Sequence, residues 1–273
     1  MKKTLIVVQV SLFLSCVESA WADEVVTLDT RPGVKQSVLL IEPPGEIKGV
    51  VMMFPGHEGV VKFVDTGDGY DVEHAGGGFT VRKKTREAYR RNGLVAALVA
   101  PPTGKEGGID TRFRSSVEHS TDISKVIAFL SQKYGHQPVL HGHCRGTFSP
   151  ASITTNLENS GIGGLILSSP RSQGRHGAVM DYRAGVVAVP VLLVQHTEDP
   201  CPGTPYRNLP LVKSFYERAS HKVDVILVSG GNVREKGDSC QSGAHSFAGF
   251  EEETADAIAA WILGRDFPGK VGS

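Results

Sequence analysis

The chain has 273 residues, 40% hydrophobic and 21% charged, and its 29 lysines and arginines balance 29 aspartates and glutamates. That composition suits one globular domain with a sizeable core. With no net charge there is no global field to gather nucleic acid or an anionic membrane, so a small-molecule substrate is the expected partner.

Met1-Lys2-Lys3 leads into an apolar run from Leu5 to Val17, followed by the small-x-small site Ala20-Trp21-Ala22. Residues 1–22 read as a signal peptide cleaved after Ala22, which sends a mature chain of residues 23–273 to the periplasm or the medium. The run is too short for a membrane span, although a retained anchor is the alternative. Cys16 offers a lipoprotein site, but Phe13 fits such processing poorly.

Val25–Thr27 and Ser37–Ile41 read as short strands around a turn at Arg31-Pro32-Gly33, an antiparallel edge. Gly49–Phe54 is continuously apolar and reads as a strand buried on both faces. The loop Pro55-Gly56-His57-Glu58-Gly59 follows it directly. Residues 62–78, rich in glycine and charge, read as a loop, either mobile and near the site or, by default, a plain surface loop, and Phe79–Asn92 as a basic amphipathic helix ending at Gly93. The basic residues of that helix (Arg82, Lys83, Lys84, Arg86, Arg90, Arg91) are expected to form a solvated face.

Leu94–Val99 is a second buried strand, and Val117–Tyr134 a helix with an apolar stripe ended by Gly135. Further strands are expected at Val139–Leu140, Gly164–Leu167, Val191–Gln195 and Val223–Val228. Helices are expected after Gly146, at Pro210–Ala219 and at Phe250–Leu263. Buried strands alternating with amphipathic helices imply an α/β domain, with a mainly parallel central sheet covered on both faces.

The chemistry converges on Gly142-His143-Cys144-Arg145-Gly146. An apolar strand precedes this small-x-nucleophile-x-small pattern and a helical segment follows it, as in a strained strand-to-helix elbow that presents its central side chain. The N-terminus of the following helix favours a thiolate and, later, an oxyanion. Asp199 and His245 also follow buried strands, so the chain order is nucleophile, acid, base, the order of α/β-hydrolases. His245 would accept the proton of Cys144 and return it to the leaving group, while Asp199 fixes the imidazole's tautomer. Backbone N–H groups of His57 and Arg145 are the expected oxyanion donors.

With Cys16 removed and Cys144 on the elbow, Cys201 and Cys240 remain for each other in an oxidising compartment; two separate buried thiols are the alternative. Their bridge would tie the acid loop to the base loop.

The segments Phe79-Thr80-Val81-Arg82, Phe113-Arg114-Ser115, Gly142 through Thr147, His196 through Cys201 and Cys240 through His245 together resemble those of a group of secreted bacterial α/β-hydrolases. The resemblance covers most of the mature chain. It implies an eight-stranded type of sheet, no cofactor and hydrolysis of an ester-like bond. Those relatives usually carry serine at the elbow; the Gly-x-Cys-x-Gly form here resembles dienelactone hydrolases. The resemblance favours Asp199 over the neighbouring Glu198 as the acid.

Several alternatives stay open on sequence alone. His141 and His143 with Cys144, and His57 as a third histidine, could ligate a metal, but they straddle a glycine turn and no recognisable ligand pattern completes the site, so no metal is expected. Arg114 and Asp122 are candidates for a buried pair under the elbow. A binding protein that kept the fold and lost turnover through the Ser-to-Cys change is the competing function.

Overall fold

A computed structural model of the chain describes residues 23–76, 78–220, 222–232 and 239–273; the expected signal peptide lies outside them. β1 (Glu24–Arg31) and β2 (Val34–Ile41) form the antiparallel hairpin that the sequence indicates. β3 (Gly49–Phe54) then enters the interior, followed by a small hairpin of β4 (Val61–Asp65) and β5 (Tyr70–His74). This hairpin corrects the expectation of a loop over 62–78. Phe63, Tyr70 and Val72 pack against the core, an alternation that glycines and charges obscure in the sequence.

Next come α1 (Lys83–Arg91), β6 (Leu94–Val99), the single turn α2 (Thr111–Arg114) and α3 (Val117–Tyr134). α1 starts later than expected because Phe79–Val81 forms a 3₁₀ turn and Arg82 is extended. Its basic side chains are largely paired: Arg82 with Glu251, and Arg91 with Glu252 and Asp256, while Arg86 is buried. α3 begins where the Ser116 hydroxyl accepts from the His119 N–H, and it ends at Gly135 with φ of 73°.

β7 (Val139–His143), α4 (Phe148–Asn156), β8 (Gly164–Ser168), β9 (Val191–His196), α5 (Leu209–Tyr216), β10 (Val223–Ser229), α6 (Glu251–Ile262) and β11 (Lys270–Gly272) complete the described elements. The main sheet runs β1-β2-β6-β3-β7-β8-β9-β10-β11. It has nine strands where the resemblance implied eight. β2 is antiparallel to both its neighbours, and every pairing from β6 to β11 is parallel.

Every residue of β3, β6, β7, β8 and β9 is buried, which is why β3 and β6 read as unbroken apolar runs and the other three begin with apolar residues or glycine. Within β3 the pleat divides them. Val51 and Met53 pack with Tyr89 of α1 and Ile258 and Trp261 of α6, whereas Val50, Met52 and Phe54 meet Ile123, Val126 and Leu130 of α3. α4 and α5 cover the second face further along, through Phe148, Val212, Phe215 and Tyr216. Each such fully buried side chain contributes roughly 1.5–3 kcal/mol of burial free energy, and together they fix the strand ends from which the site loops emerge.

Arg114 and Asp122 are both buried but do not pair. Asp122 accepts two hydrogen bonds from Arg31 (2.8 and 2.9 Å) and one from Thr30 (2.6 Å), clamping α3 to β1. Arg114 reaches the other way, to the loop after β3 and to α4. Among the described residues no helix is long and apolar enough to cross a membrane.

Candidate active site

The elbow is a backbone construction first. β7 stops at His143, Cys144 takes φ of +52°, and a 3₁₀ turn over Cys144–Thr147 leads into α4. The two glycines are required by contact: a Cβ on Gly142 would lie 2.4 Å from the Gly146 carbonyl oxygen, and one on Gly146 would lie 2.4 Å from that of Phe54. Cys144, 6% exposed, therefore sits where β7, β3 and α4 converge.

Strained backbone clusters around it. His57, Ser169 and Phe247 share the left-handed region with Cys144, at φ of 50°, 42° and 60°. Such conformations persist when the surrounding structure imposes them. The impositions are visible. Ser169 Oγ donates to the carbonyl oxygen of His245 (3.1 Å), fixing the base loop. Arg114 donates to the carbonyl oxygen of Pro55 and to Ser149 Oγ (3.1 Å each), fastening the loop of His57 to α4. Arg145 pairs with Glu58, so the residues after Cys144 and after His57 are joined by a salt bridge. Sequence reasoning singled out Arg114 and left its partner undecided, with Asp122 as one candidate.

His245 and Asp199 meet as expected from their positions after β10 and β9. His245 Nδ1 lies 3.0 Å from each Asp199 carboxylate oxygen, and both side chains are essentially buried. The carboxylate also accepts from the Cys201 N–H (2.9 Å), Thr204 Oγ1 (2.8 Å) and Gln195 Nε2 (3.0 Å). Glu198 instead spends its N–H on His196 Nδ1 (3.0 Å). Burial alone would raise the Asp199 carboxyl; the hydrogen bond and charge of His245, with these donors, outweigh it and hold it below the usual range.

A ring nitrogen of His245 and Sγ of Cys144 lie within 4.8 Å. Nε2 makes no hydrogen bond of regular geometry, yet the two groups bias each other strongly. Burial pushes the Cys144 thiol up, but the charge and proximity of His245, then Arg171 and the Arg145 N–H, pull it below its ordinary value. Burial pushes His245 down, but Cys144 and Asp199 raise it to about 10. The pair is thus biased toward thiolate and imidazolium.

Cys201 and Cys240 form a disulfide with a Cα–Cα distance of 4.4 Å, joining the acid loop to the base loop. Of the histidines suspected as metal ligands, His141 has both ring nitrogens hydrogen-bonded and His143 has one, while His57 Nδ1 has no hydrogen-bond partner. Tyr89 Oη bonds His141 Nδ1 (2.9 Å), and Ser168 Oγ meets both His141 Nε2 (3.0 Å) and His143 Nδ1 (3.1 Å). Ser168 also donates to the Gly142 carbonyl oxygen, so this buried chain props the underside of the elbow. Among the described residues the one cluster with metal-ligand spacing is Cys144, Cys201 and His245, and the Cys201 sulfur is already in the disulfide.

Cys144 opens onto a cavity of about 90 Å³ lined by His57, His143, Arg145, Arg171, Cys240 and His245 together with Gly56, Gly76 and Gly78. Arg171, which follows β8, was not predicted. It is 8% exposed, its guanidinium lies against Gly174 and Gly203, and it has no ion-pair partner among the described residues. A larger hollow of about 700 Å³, lined by Asp71, His74, Arg82 and Lys84 among others, holds none of the Cys144, Asp199 and His245 group.

A mainly parallel sheet with helices on both faces, an elbow after a central strand and an acid and a histidine after later strands define the α/β-hydrolase fold, and this chain has it. Solved structures with that fold are similar over most of their length. An α/β serine hydrolase homologue from Coxiella burnetii is 16% identical over 89% of this chain and 97% of its own, with a TM-score of 0.55. A lidless α/β serine hydrolase from Xanthomonas campestris is 14% identical over 90% and 96%, with a TM-score of 0.56. A thermostable carboxyl esterase from Bacillus coagulans is 10% identical over 89% and 98%, with a TM-score of 0.60. By sequence, the chain matches no protein-family profile and no curated protein.

Proposed function

We propose that the protein hydrolyses an ester-like bond, in an ester, lactone or thioester, through an acyl-enzyme on Cys144. The observation that carries this is the strained elbow cysteine within 4.8 Å of a ring nitrogen of His245, whose Nδ1 is held 3.0 Å from both oxygens of Asp199. The thiolate attacks the carbonyl carbon, and the oxyanion forms against the N–H groups of His57 and Arg145. The His245 imidazolium protonates the leaving group; then, as neutral imidazole, it activates water against the thioester. Asp199 holds the ring through both steps. Residues 23–273 act as one hydrolase domain, exported after removal of residues 1–22, a destination with which the disulfide is compatible.

Brief exposure to a short-chain nitrophenyl ester should give a transient acyl adduct by intact mass together with continuing chromophore release, both lost in Cys144→Ala. Absence of adduct and release in the wild type, with activity appearing in Cys144→Ser, would favour the binding-protein reading.

The cavity also suggests the substrate's charge. No carboxylate lines it, Arg145 is neutralised by Glu58, and Arg171 has no carboxylate partner among the described residues, so its guanidinium and the His245 imidazolium face the single negative charge of Cys144. Buried guanidinium groups call for an anionic partner. Arg171→Leu should therefore lower kcat/KM for an ester bearing a free carboxylate by about tenfold to a hundredfold more than for its neutral analogue, the range of a charged hydrogen bond. Equal losses for both would remove the anionic-substrate reading.

A further inference from the structure

We propose that Cys144, Cys201 and Cys240 form a thiol–disulfide exchange site inside the active-site cavity, in which the nucleophilic sulfur is reversibly stored as a Cys144–Cys201 bridge. The sulfurs of Cys144 and Cys201 and a ring nitrogen of His245 all lie within 4.8 Å of one another. Cys240, the other half of the disulfide, lines the same cavity as Cys144. A tether between two loops could sit anywhere along them; this one adjoins a thiol whose surroundings favour its reactive form. Cys144 and Cys201 are 6% and 1% exposed, so each has the other as a nearer partner than any thiol in solution.

The step balances without oxidant or reductant. The Cys144 sulfur attacks Cys201 Sγ with its electron pair and a Cys144–Cys201 bond forms. The Cys201–Cys240 bond breaks, and its electron pair leaves on the Cys240 sulfur. The proton that Cys144 had given to His245 then neutralises the Cys240 thiolate, directly or through solvent. Closure needs the sulfurs to approach to about 2.05 Å by side-chain rotation. One event therefore has two effects: it masks the nucleophile and unties the acid loop from the base loop. Reversal restores both. The inference rests on Cys144 being a thiolate beside His245, and not on ester turnover.

The test reads disulfide connectivity. Full-length mature protein, never reduced, is held with N-ethylmaleimide and digested without reduction, and cross-linked peptides are mapped by mass spectrometry over time. The expected result is a growing Cys144–Cys201 peptide with maleimide on Cys240, forming roughly tenfold or more slowly in His245→Ala, where the thiolate loses its counter-ion. Maleimide confined to Cys144, with Cys201–Cys240 intact at every time point, overturns the proposal. In Cys240→Ser, oxidised glutathione should drive a Cys144–Cys201 bridge; stable glutathione adducts without that bridge would equally overturn it. If exchange is seen and no ester is turned over, only the hydrolase reading fails.

Discussion

His245→Ala is expected to lower kcat/KM on a short-chain nitrophenyl ester by on the order of 10⁴-fold or more, most of it in kcat. The loss is large because one imidazole serves twice, as the counter-ion that holds Cys144 as thiolate and as the base that activates water for deacylation. The pH profile separates these roles. In the wild type, activity falls on the acid side as Cys144 and Asp199, both held below their ordinary values, take up protons; it falls on the alkaline side as His245 loses its proton near about 10. In Cys144→Ser no thiolate raises His245, and neutral imidazole becomes the active form. The acid limb should then move toward the ordinary histidine value of 6.5 and the alkaline limb should disappear. A profile unchanged by Cys144→Ser would show that the ion pair does not govern activity.

The same pair sets a stability profile. The raised His245 contributes stability that is complete below 6.5 and lost as pH rises through about 10. The lowered Cys144 contributes stability that is complete above 9.0 and lost as pH falls through its folded-state value. Where the two windows overlap, below 9.0, the slopes oppose; above 9.0 only the His245 slope remains and the pair's contribution declines as pH rises.

Gly146→Ala is expected to destabilise the fold by about 3 kcal/mol, the upper end for forced overpacking, and to abolish ester hydrolysis. The added Cβ would meet the carbonyl oxygens of Phe54 at 2.4 Å and Pro55 at 2.8 Å, both backbone atoms that no side-chain rotation can clear. Relief requires β3 and the His57 loop to move away from the elbow, and with them one of the two proposed oxyanion donors. Urea unfolding reads the first effect and chromophore release the second. Near-normal activity with a lowered midpoint would mean that the His57 N–H contributes little to turnover.

Why these features could be read from sequence differs from case to case. β3 and β6 were legible because burial on both faces leaves no polar residue to break the run, β9 because four apolar residues precede Gln195, and the elbow because its glycines are demanded by backbone contact. The β4–β5 hairpin was not, since Val61, Phe63, Tyr70 and Val72 suffice to anchor it and charged residues stand between them. β11 is too short to show a period, and it exists only because β10 offers it an edge. Partner choice was the least legible. Nothing local says that Asp122 takes Arg31 from the first strand, that Arg114 ties the loop after β3 to α4, or that Tyr89, His141, Ser168 and His143 join beneath Cys144. Arg171 was not singled out because nothing local separates it from Arg175 and Arg183 in the same polar stretch.

β11 also bears on how the molecule avoids its own kind. β10 carries Val223-Asp224-Val225-Ile226-Leu227-Val228-Ser229, and its inner edge is taken by β9. Left bare, the outer edge would offer backbone donors and acceptors along an apolar, nearly uncharged strand, the template from which sheets add further chains and grow into aggregates. Leu227, Val228 and Ser229 are instead paired with Lys270, Val271 and Gly272, and Trp261 of α6 donates to Asp224 further back. Three residues of strand thus act as a stopper against self-association.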